Sequence, residues 1–148
     1  MINIEVQIAA SADEIPSVEM FQVWASAIEA DSDEHKDVAM RIVDEAEMGK
    51  LNEQYRKKTG VTNVLSFPAD LPGGVDIPFL GDIIVCAPVV IKEATDQGKS
   101  LHSHWAHMTV HGILHLQGYD HIDHVEAEQM ESLETKIMNK LGFENPYV

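Results

Sequence analysis

Three histidines and a glycine between residues 111 and 121 constrain this chain more than any other feature. The segment reads His-Gly-Ile-Leu-His-Leu-Gln-Gly-Tyr-Asp-His, which places His111, His115 and His121 in a fixed spacing. On a helix, His111 and His115 lie on one face, with Cβ atoms about 6 Å apart. His121 cannot join them if the helix continues, because ten helical residues rise about 15 Å. The helix must therefore end, and Gly118 stands where a left-handed residue would turn the chain back.

These three imidazoles predict a site for one divalent metal ion. Three protein nitrogens leave the fourth position of a tetrahedral site open for water or substrate, as in catalytic rather than structural zinc sites. The spacing does not select Zn²⁺ over Ni²⁺, Fe²⁺ or Mn²⁺, since imidazole suits several metals. Asp120, beside His121, either accepts the second N–H of an imidazole or belongs to the turn.

The same helix carries further histidines. His107 and His111 are also four residues apart and could face one ion by the same argument. We prefer His111 and His115, because only this pair stands at the right distance from Gly118 and His121. Four further histidines of the C-terminal half are assigned to surface, core or supporting positions: His102, His104, His107 and His124.

The spacing matches that of the metzincin proteases except at one position. Those proteases carry Glu directly after the first His, as the general base of peptide hydrolysis. This chain has Gly112 there, so the peptidase mechanism would lose its proton acceptor. Glycine inside a helix costs about 1 kcal/mol relative to Ala, so we expect close packing or space for a substrate to require it. The pattern thus predicts a metzincin-like His-bearing helix with a different reaction.

Length and composition predict a single domain spanning residues 1–148, because the chain has no linker and no repeat. The longest apolar run, residues 83–91, is too short to cross a bilayer. No Lys or Arg precedes Lys36, so the basic start of a secretory signal is not expected. Cys86 is the only cysteine, which indicates a buried strand position and a cytoplasmic location.

The formal net charge of −15 disfavours indiscriminate binding to nucleic acid and gives no reason to expect DNA as a partner. The basic residues are nevertheless unevenly distributed, with none between residues 59 and 91 and one cluster at Lys50, Arg56, Lys57 and Lys58. Such a cluster can attract a phosphate group locally. It can equally be a solvated helix end favoured by the helix dipole, and the sequence leaves both interpretations open.

Hydrophobic periodicity predicts an α+β fold, with a mixed four-stranded sheet and about five helices packed on it. Asp44 with Glu47, and Asp123 with Glu126, form the Asp-x-x-Glu pattern that opens a helix, and Ser100 can cap the histidine helix. Two prolines and two glycines make the segment 69–80 a mobile loop. The predicted strands are 2–8, 38–43, 63–67 and 81–86, and the predicted helices are 16–30, 44–56, 88–97, the histidine helix and 123–140.

Together, these motifs resemble the YbeY family of bacterial rRNA-maturation endoribonucleases. The resemblance runs in order from about Arg41 to the C-terminal end and rests mainly on the histidine motif, Arg56 and the run Thr-Asn-Val-Leu-Ser-Phe-Pro at 62–68. The first forty residues contribute little. Supporting stretches are Arg-Ile-Val-Asp-Glu-Ala-Glu (41–47), Leu-Asn-Glu-Gln-Tyr-Arg (51–56), Leu-Gly-Asp-Ile (80–83) and His-Trp-Ala-His-Met (104–108).

The resemblance implies one metal ion, usually taken as zinc, held by His111, His115 and His121, and a functional arginine at Arg56. Arg56 and His111 are the candidate catalytic residues. The implied activity is cleavage of single-stranded RNA in 16S rRNA 3′-end maturation and ribosome quality control, in the cytoplasm. The expected partner is therefore the 16S rRNA precursor, with no membrane involved. Because the body is acidic, we also expect delivery by a ribosomal protein or a ribosome-associated GTPase.

Two other functional classes remain open. A metallohydrolase of another bond, including a peptidase, is suggested by the metzincin spacing. A ribosome-assembly binding factor with a structural metal would use the loop 69–80 and the acidic surface for docking. Since no side chain stands out as a general base, the nucleophile is either a metal-activated water or the RNA 2′-hydroxyl. RNA sequence preference, oligomeric state and partner surface are not determined by the sequence.

Overall fold

The computed structural model describes residues 1–28, 35–70, 72–73, 77–119 and 123–147. Four strands and five helices form within these ranges, which agrees with the predicted α+β class. The strands are β1 (Ile2–Ile8), β2 (Lys36–Val43), β3 (Val64–Pro68) and β4 (Phe79–Cys86). The helices are α1 (Val18–Ser26), α2 (Glu45–Arg56), α3 (Ala87–Asp96), α4 (Leu101–Leu116) and α5 (His124–Lys140). None of these helices has both the length and the apolar character needed to cross a membrane.

The strands form one mixed sheet in the order β1-β2-β4-β3. β1, β2 and β4 are parallel, whereas β3 runs antiparallel to β4 along the edge. The pairing of β2 with β4 shifts between Asp37 and Val38, which lie opposite Phe79 and Gly81, and the φ of Gly81, +144°, is open mainly to glycine. β4 begins at Phe79, so the predicted loop 69–80 was too long at its end; residues 71 and 74–76 of that loop lie outside the described residues.

Side chains that alternate along β4 supply two separate apolar clusters. Ile83 and Val85 face the main core, which includes the aromatic rings of α1 and α4. Ile84 and Cys86 belong to a smaller cluster with Met48 of α2. The predicted layer of helices over the sheet is confirmed. Because the side chains of β4 alternate between the two faces of the sheet, the structure also has a second, smaller apolar cluster. Cys86 is fully buried, as expected, and burial raises the pKa of its thiol.

Two of the predicted helix starts are confirmed by their capping hydrogen bonds. The Ser100 hydroxyl accepts from the N–H of Ser103 at 3.1 Å, and the Asp123 carboxylate accepts from the N–H of Glu126 at 2.8 Å. These bonds satisfy backbone donors that the helix itself leaves unpaired. They fix the first turns of α4 and α5, the two helices that carry most of the candidate site.

The capping pair predicted at Asp44 and Glu47 was wrong, although α2 does begin after Asp44. The Asp44 carboxylate makes no capping hydrogen bond and instead accepts from the backbone N–H and the hydroxyl of Ser11. Glu47 pairs with Arg41 through two bonds of 2.6 and 2.8 Å. Partners brought close by the sheet have displaced the local interaction, which is a common way for tertiary contacts to override a short motif. α1 begins at Val18, later than predicted, with Ser17 as its cap.

Candidate metal centre and adjoining groove

The end of α4 has the geometry that the histidine motif predicted. Gly118 adopts a φ of +102° and donates its N–H to the carbonyl of His115 at 3.0 Å. The N–H of Tyr119 bonds to the carbonyl of Leu114 at 3.1 Å, which completes a Schellman turn. The chain therefore leaves the helix at the expected point. His121 and Asp120 lie outside the described residues, so their predicted roles stay predictions.

His111 and His115 face each other across one turn of α4. Their Nε2 atoms lie 3.2 Å apart. Two nitrogens that each lie about 2.0–2.1 Å from a tetrahedral zinc ion would stand about 3.3 Å from one another. Both side chains are partly exposed. The pair therefore fits two ligands of one divalent ion without rearrangement.

On its other side, His111 contacts a carboxylate that the sequence reasoning missed. Nδ1 of His111 lies 2.9 Å from Oε1 of Glu134, a residue of α5 with no exposed surface. The second oxygen, Oε2, lies 2.5 Å from Nε2 of His107 and accepts from the hydroxyl of Tyr147 at 2.6 Å. One sequence signal was available, because Glu134 falls in the buried stripe of α5 with Met130 and Met138.

These contacts keep the Glu134 carboxylate ionised. Burial by itself would raise the pKa of Glu134, but the hydrogen bonds from His107, from His111 and from the Tyr147 hydroxyl lower it to about 2. Burial and the neighbouring Glu134 carboxylate raise the pKa of Tyr147, so its hydroxyl remains a donor. An ionised carboxylate only accepts, so Nδ1 of His111 carries the hydrogen of this bond. In the neutral imidazole, the lone pair then lies on Nε2, on the side of His115.

His107, His111 and Glu134 also lie close enough to hold a metal ion, since one ligand atom from each falls within 4.8 Å of the others. The structure thus places His107 near His111 around one carboxylate, although the sequence favoured the pair His111 and His115. The two groupings use different atoms of His111, because Nδ1 faces Glu134 and Nε2 faces His115. The separation of 2.5 Å between His107 and Glu134 is a hydrogen-bond length, well below the spacing of two zinc ligands. We therefore interpret Glu134 as a hydrogen-bond partner.

A groove of about 460 Å³ adjoins the exposed side of this pair. Its walls include Arg56 at the end of α2, residues 64–66 of β3, and His111 and His115 of α4. Two sets of hydrogen bonds build this arrangement. The Ser66 hydroxyl donates to the carbonyl of Gly112 at 3.2 Å, which ties β3 to α4. At the end of α2, the side-chain amide of Asn52 donates to the backbone carbonyl of Gly60, and the backbone carbonyl of Asn52 accepts from the N–H of Lys58.

The glycine that replaces the metzincin glutamate has a packing reason. A Cβ atom on Gly112 would lie 2.9 Å from Cγ2 and 3.1 Å from Cδ1 of Ile83. Separations this short are not tolerated without a shift of the Ile83 side chain or of the elements that carry the two residues. The expectation of close packing at Gly112 is confirmed, and a glutamate side chain in this position would run into the sheet.

The other histidines occupy three kinds of position. His104 is buried and its Nε2 lies 3.0 Å from Glu93; burial lowers its pKa. The ring of His102 packs edge-on against Trp24. His124 is exposed and pairs with a glutamate one turn along α5. Each of these agrees with the surface, core or supporting roles assigned from sequence.

The fold and the site together define an α+β protein with a histidine-bearing helix beside an open groove. The family model described as "Endoribonuclease YbeY" matches residues 5–142. The Endoribonuclease YbeY of Methylococcus capsulatus is 53% identical over 147 residues, which cover 99% of this chain and 96% of that protein. The chain belongs to the YbeY endoribonuclease family, as its motifs predicted.

A solution structure of a protein from Thermotoga maritima shares the fold, with a TM-score of 0.53. The two sequences are 22% identical, and the alignment covers 93% of this chain and 92% of the other. At this identity the likeness bears on the fold alone.

Proposed function

We propose that this protein is a metal-dependent endoribonuclease that cleaves single-stranded RNA. The observation that carries the proposal is that Arg56 and the His111–His115 pair line one groove. A cation and a metal-ligand pair beside one cavity suit phosphodiester cleavage, because both can stabilise the negative charge that develops on the phosphate in the transition state. The name of the Methylococcus relative supports RNA as the substrate.

The proposed ligands of the metal are His111, His115 and His121, and the proposed ion is Zn²⁺. The separation of 3.2 Å between the Nε2 atoms of His111 and His115 supports the first two. His121 is included from its place in the motif, after the turn at Gly118. An ion there would act as a Lewis acid on a phosphate oxygen and lower the pKa of a bound water.

Arg56 is the proposed phosphate-binding residue. Its side chain is exposed at the end of α2 and lines the groove, so it can reach a bound strand. A guanidinium group forms two parallel hydrogen bonds with phosphate oxygens, which a Lys side chain cannot reproduce. Lys57 and Lys58 follow directly and would add local attraction.

The proposed biological substrate is the 3′ end of the 16S rRNA precursor, cut in the cytoplasm during maturation and quality control of ribosomes. A net charge of −15 opposes tight binding to free RNA. We therefore propose that a ribosomal protein or a ribosome-associated GTPase delivers the enzyme to its site. Isolated protein should bind arbitrary RNA weakly, with a shallow dependence on salt, and a steep salt slope would contradict this part of the proposal.

The test compares cleavage of an unstructured RNA and of casein, each with and without a chelator and after zinc is restored. We expect cleavage of the RNA only, lost with the chelator and recovered with zinc. Cleavage of casein alone would overturn the proposal in favour of a peptidase, which the packing of Gly112 against Ile83 argues against. The product ends then identify the nucleophile, because water attack leaves a 5′-phosphate whereas the 2′-hydroxyl leaves a 2′,3′-cyclic phosphate.

A ribosome-assembly factor with a structural metal is separated from the proposed enzyme by one variant. His115→Ala should abolish both cleavage and function in cells if the metal serves catalysis. A folded His115→Ala protein that still supports ribosome maturation would favour the binding factor.

A further inference from the structure

We infer that Glu134 is a positioning residue that fixes the orientation of His111 for metal binding, and that His107 and Tyr147 hold Glu134 in place. This inference rests on the proposed metal site. Glu134 does not itself line the groove and has no exposed surface. Its role would therefore be indirect, through the imidazole that it contacts.

The hydrogen bonds of Glu134 divide between its two oxygens. Oε1 lies 2.9 Å from Nδ1 of His111. Oε2 is held by His107 at 2.5 Å and by the hydroxyl of Tyr147 at 2.6 Å. Two donors on Oε2 restrict rotation of the carboxylate, so Oε1 has one defined direction toward His111.

A buried carboxylate needs a reason beyond packing. It occupies a stripe of α5 in which the neighbouring buried positions are Met130, Ile137 and Met138. Removing a carboxylate from water costs several kcal/mol, and apolar residues of similar volume are often as stabilising as a buried charge with its partners. What an apolar side chain could not supply is an acceptor for His111.

That acceptor determines which nitrogen of His111 is available. With its hydrogen on Nδ1, His111 presents the lone pair of Nε2 toward the groove, 3.2 Å from Nε2 of His115. Carboxylates that accept from the second N–H of a metal-binding histidine fix its tautomer and raise its basicity. Glu134 stands in this relation to His111.

The C-terminal segment supplies Tyr147. After α5, the N–H of Phe143 bonds to the carbonyl of Met138 at 2.9 Å, and the chain folds back along the helix. The Lys99 ammonium donates to the carbonyl of Pro146 at 2.6 Å, which fixes the residue before Tyr147. The ring of Tyr147 then packs edge-on against His107, with centroids 5.3 Å apart. The last turn of the chain thus supports the metal site.

The experiment measures zinc affinity by competition with a chromogenic chelator, the visible spectrum of the Co²⁺-loaded protein, and urea unfolding of the metal-free protein. The variants are Glu134→Gln, which keeps the shape but removes the charge, and Glu134→Asp, which withdraws the carboxylate. Glu128→Gln is the matched control, because Glu128 lies on the same helix with its side chain 66% exposed. We expect Glu134→Gln to bind one ion about 10- to 100-fold more weakly with an altered Co²⁺ spectrum, and Glu128→Gln to match the wild type.

A purely structural role would move only the unfolding of the metal-free protein. If zinc affinity and the Co²⁺ spectrum of Glu134→Gln equal those of the wild type, the inference is overturned. Should Glu134→Gln fail to fold, Tyr147→Phe removes one donor to Oε2 while keeping the ring. Its zinc affinity is expected to fall several-fold, and an unchanged affinity would then overturn the inference.

His115→Ala separates this inference from the proposed function. If His115→Ala loses zinc while Glu134→Gln binds normally, only the role of Glu134 is wrong. If His115→Ala retains zinc while His107→Ala loses it, the ion sits on His107, His111 and Glu134, and both the proposed ligand set and the positioning role of Glu134 are overturned.

Discussion

Helix α4 has a closed flank and an open flank, and His111 belongs to both. On the closed flank, Gly112 packs against Ile83 of the sheet and Nδ1 of His111 meets the buried Glu134. On the open flank, Nε2 of His111 and of His115 line a groove with Arg56. The closed flank is filled by packed side chains, whereas the open flank leaves a groove that a substrate can enter. The contrast teaches that stability and chemistry are divided between two sides of one helix.

After the loss of a metal ligand, the largest expected effect lies on the open flank, at Arg56. Arg56→Ala should reduce RNA cleavage about 100- to 1,000-fold, the usual cost of losing one charge-stabilising donor. Arg56→Lys should recover only a small part of this, because an ammonium group does not make the bidentate contact. The unfolding free energy should change by no more than about 0.5 kcal/mol, since the side chain is exposed.

Single-turnover cleavage rates and urea unfolding measure these two quantities. Lys50→Ala is the control, as it removes an exposed charge from the same helix without touching the groove. Wild-type cleavage by folded Arg56→Lys would exclude a bidentate role for Arg56.

Removal of the metal tests whether the open flank binds zinc only in the folded protein. With free zinc at about one hundred times its Kd, the folded state should gain about 2.7 kcal/mol over the chelated protein. Urea midpoints with and without chelator measure this gain. The urea midpoint of His115→Ala should be the same with and without chelator. A wild-type midpoint that does not change with zinc would argue against a zinc site on the folded protein.

Gly112→Ala tests the closed flank. The added methyl group meets Ile83 at 2.9 Å, so we expect a loss of about 1–3 kcal/mol of unfolding free energy. Gly49→Ala is the matched control in α2, where the nearest atom to an added Cβ is a Val61 methyl at 3.9 Å. That variant should gain up to about 1 kcal/mol from helix propensity. Equal effects at the two glycines would mean that propensity, and not packing, decides stability at Gly112.

The smallest expected effect concerns a hydrogen bond between the groove wall and Gly112. Ser66→Ala removes the 3.2 Å hydrogen bond from the wall of the groove to the carbonyl of Gly112. We expect a loss of about 0.5–1.5 kcal/mol, together with a modest rise in KM if the wall moves. Ser132→Ala on the exposed side of α5 serves as the control. An unchanged unfolding free energy for Ser66→Ala would show that the wall is held by the sheet alone.

Local signals in the sequence determined most of the elements. Strand alternation located β1 to the residue, and Ser100 and Asp123 marked the starts of α4 and α5 with real capping bonds. The spacing of His111, His115 and Gly118 determined one face and one turn, both of which the structure contains. These features were predictable because each depends on residues within one or two turns of one another.

Only the tertiary structure decided which distant residues meet. Glu134 reached His111 because α5 packs on α4, and Arg56 reached the groove because α2 ends beside the edge strand β3. The Asp44 carboxylate accepts hydrogen bonds from Ser11 and not from the first turn of α2, and close packing against Ile83 excludes a larger side chain at Gly112. Helical and strand periods state which side of an element is apolar, but they do not state which partner will cover it. The partner is determined by the packing of the whole core, in which contacts between residues far apart in sequence form together.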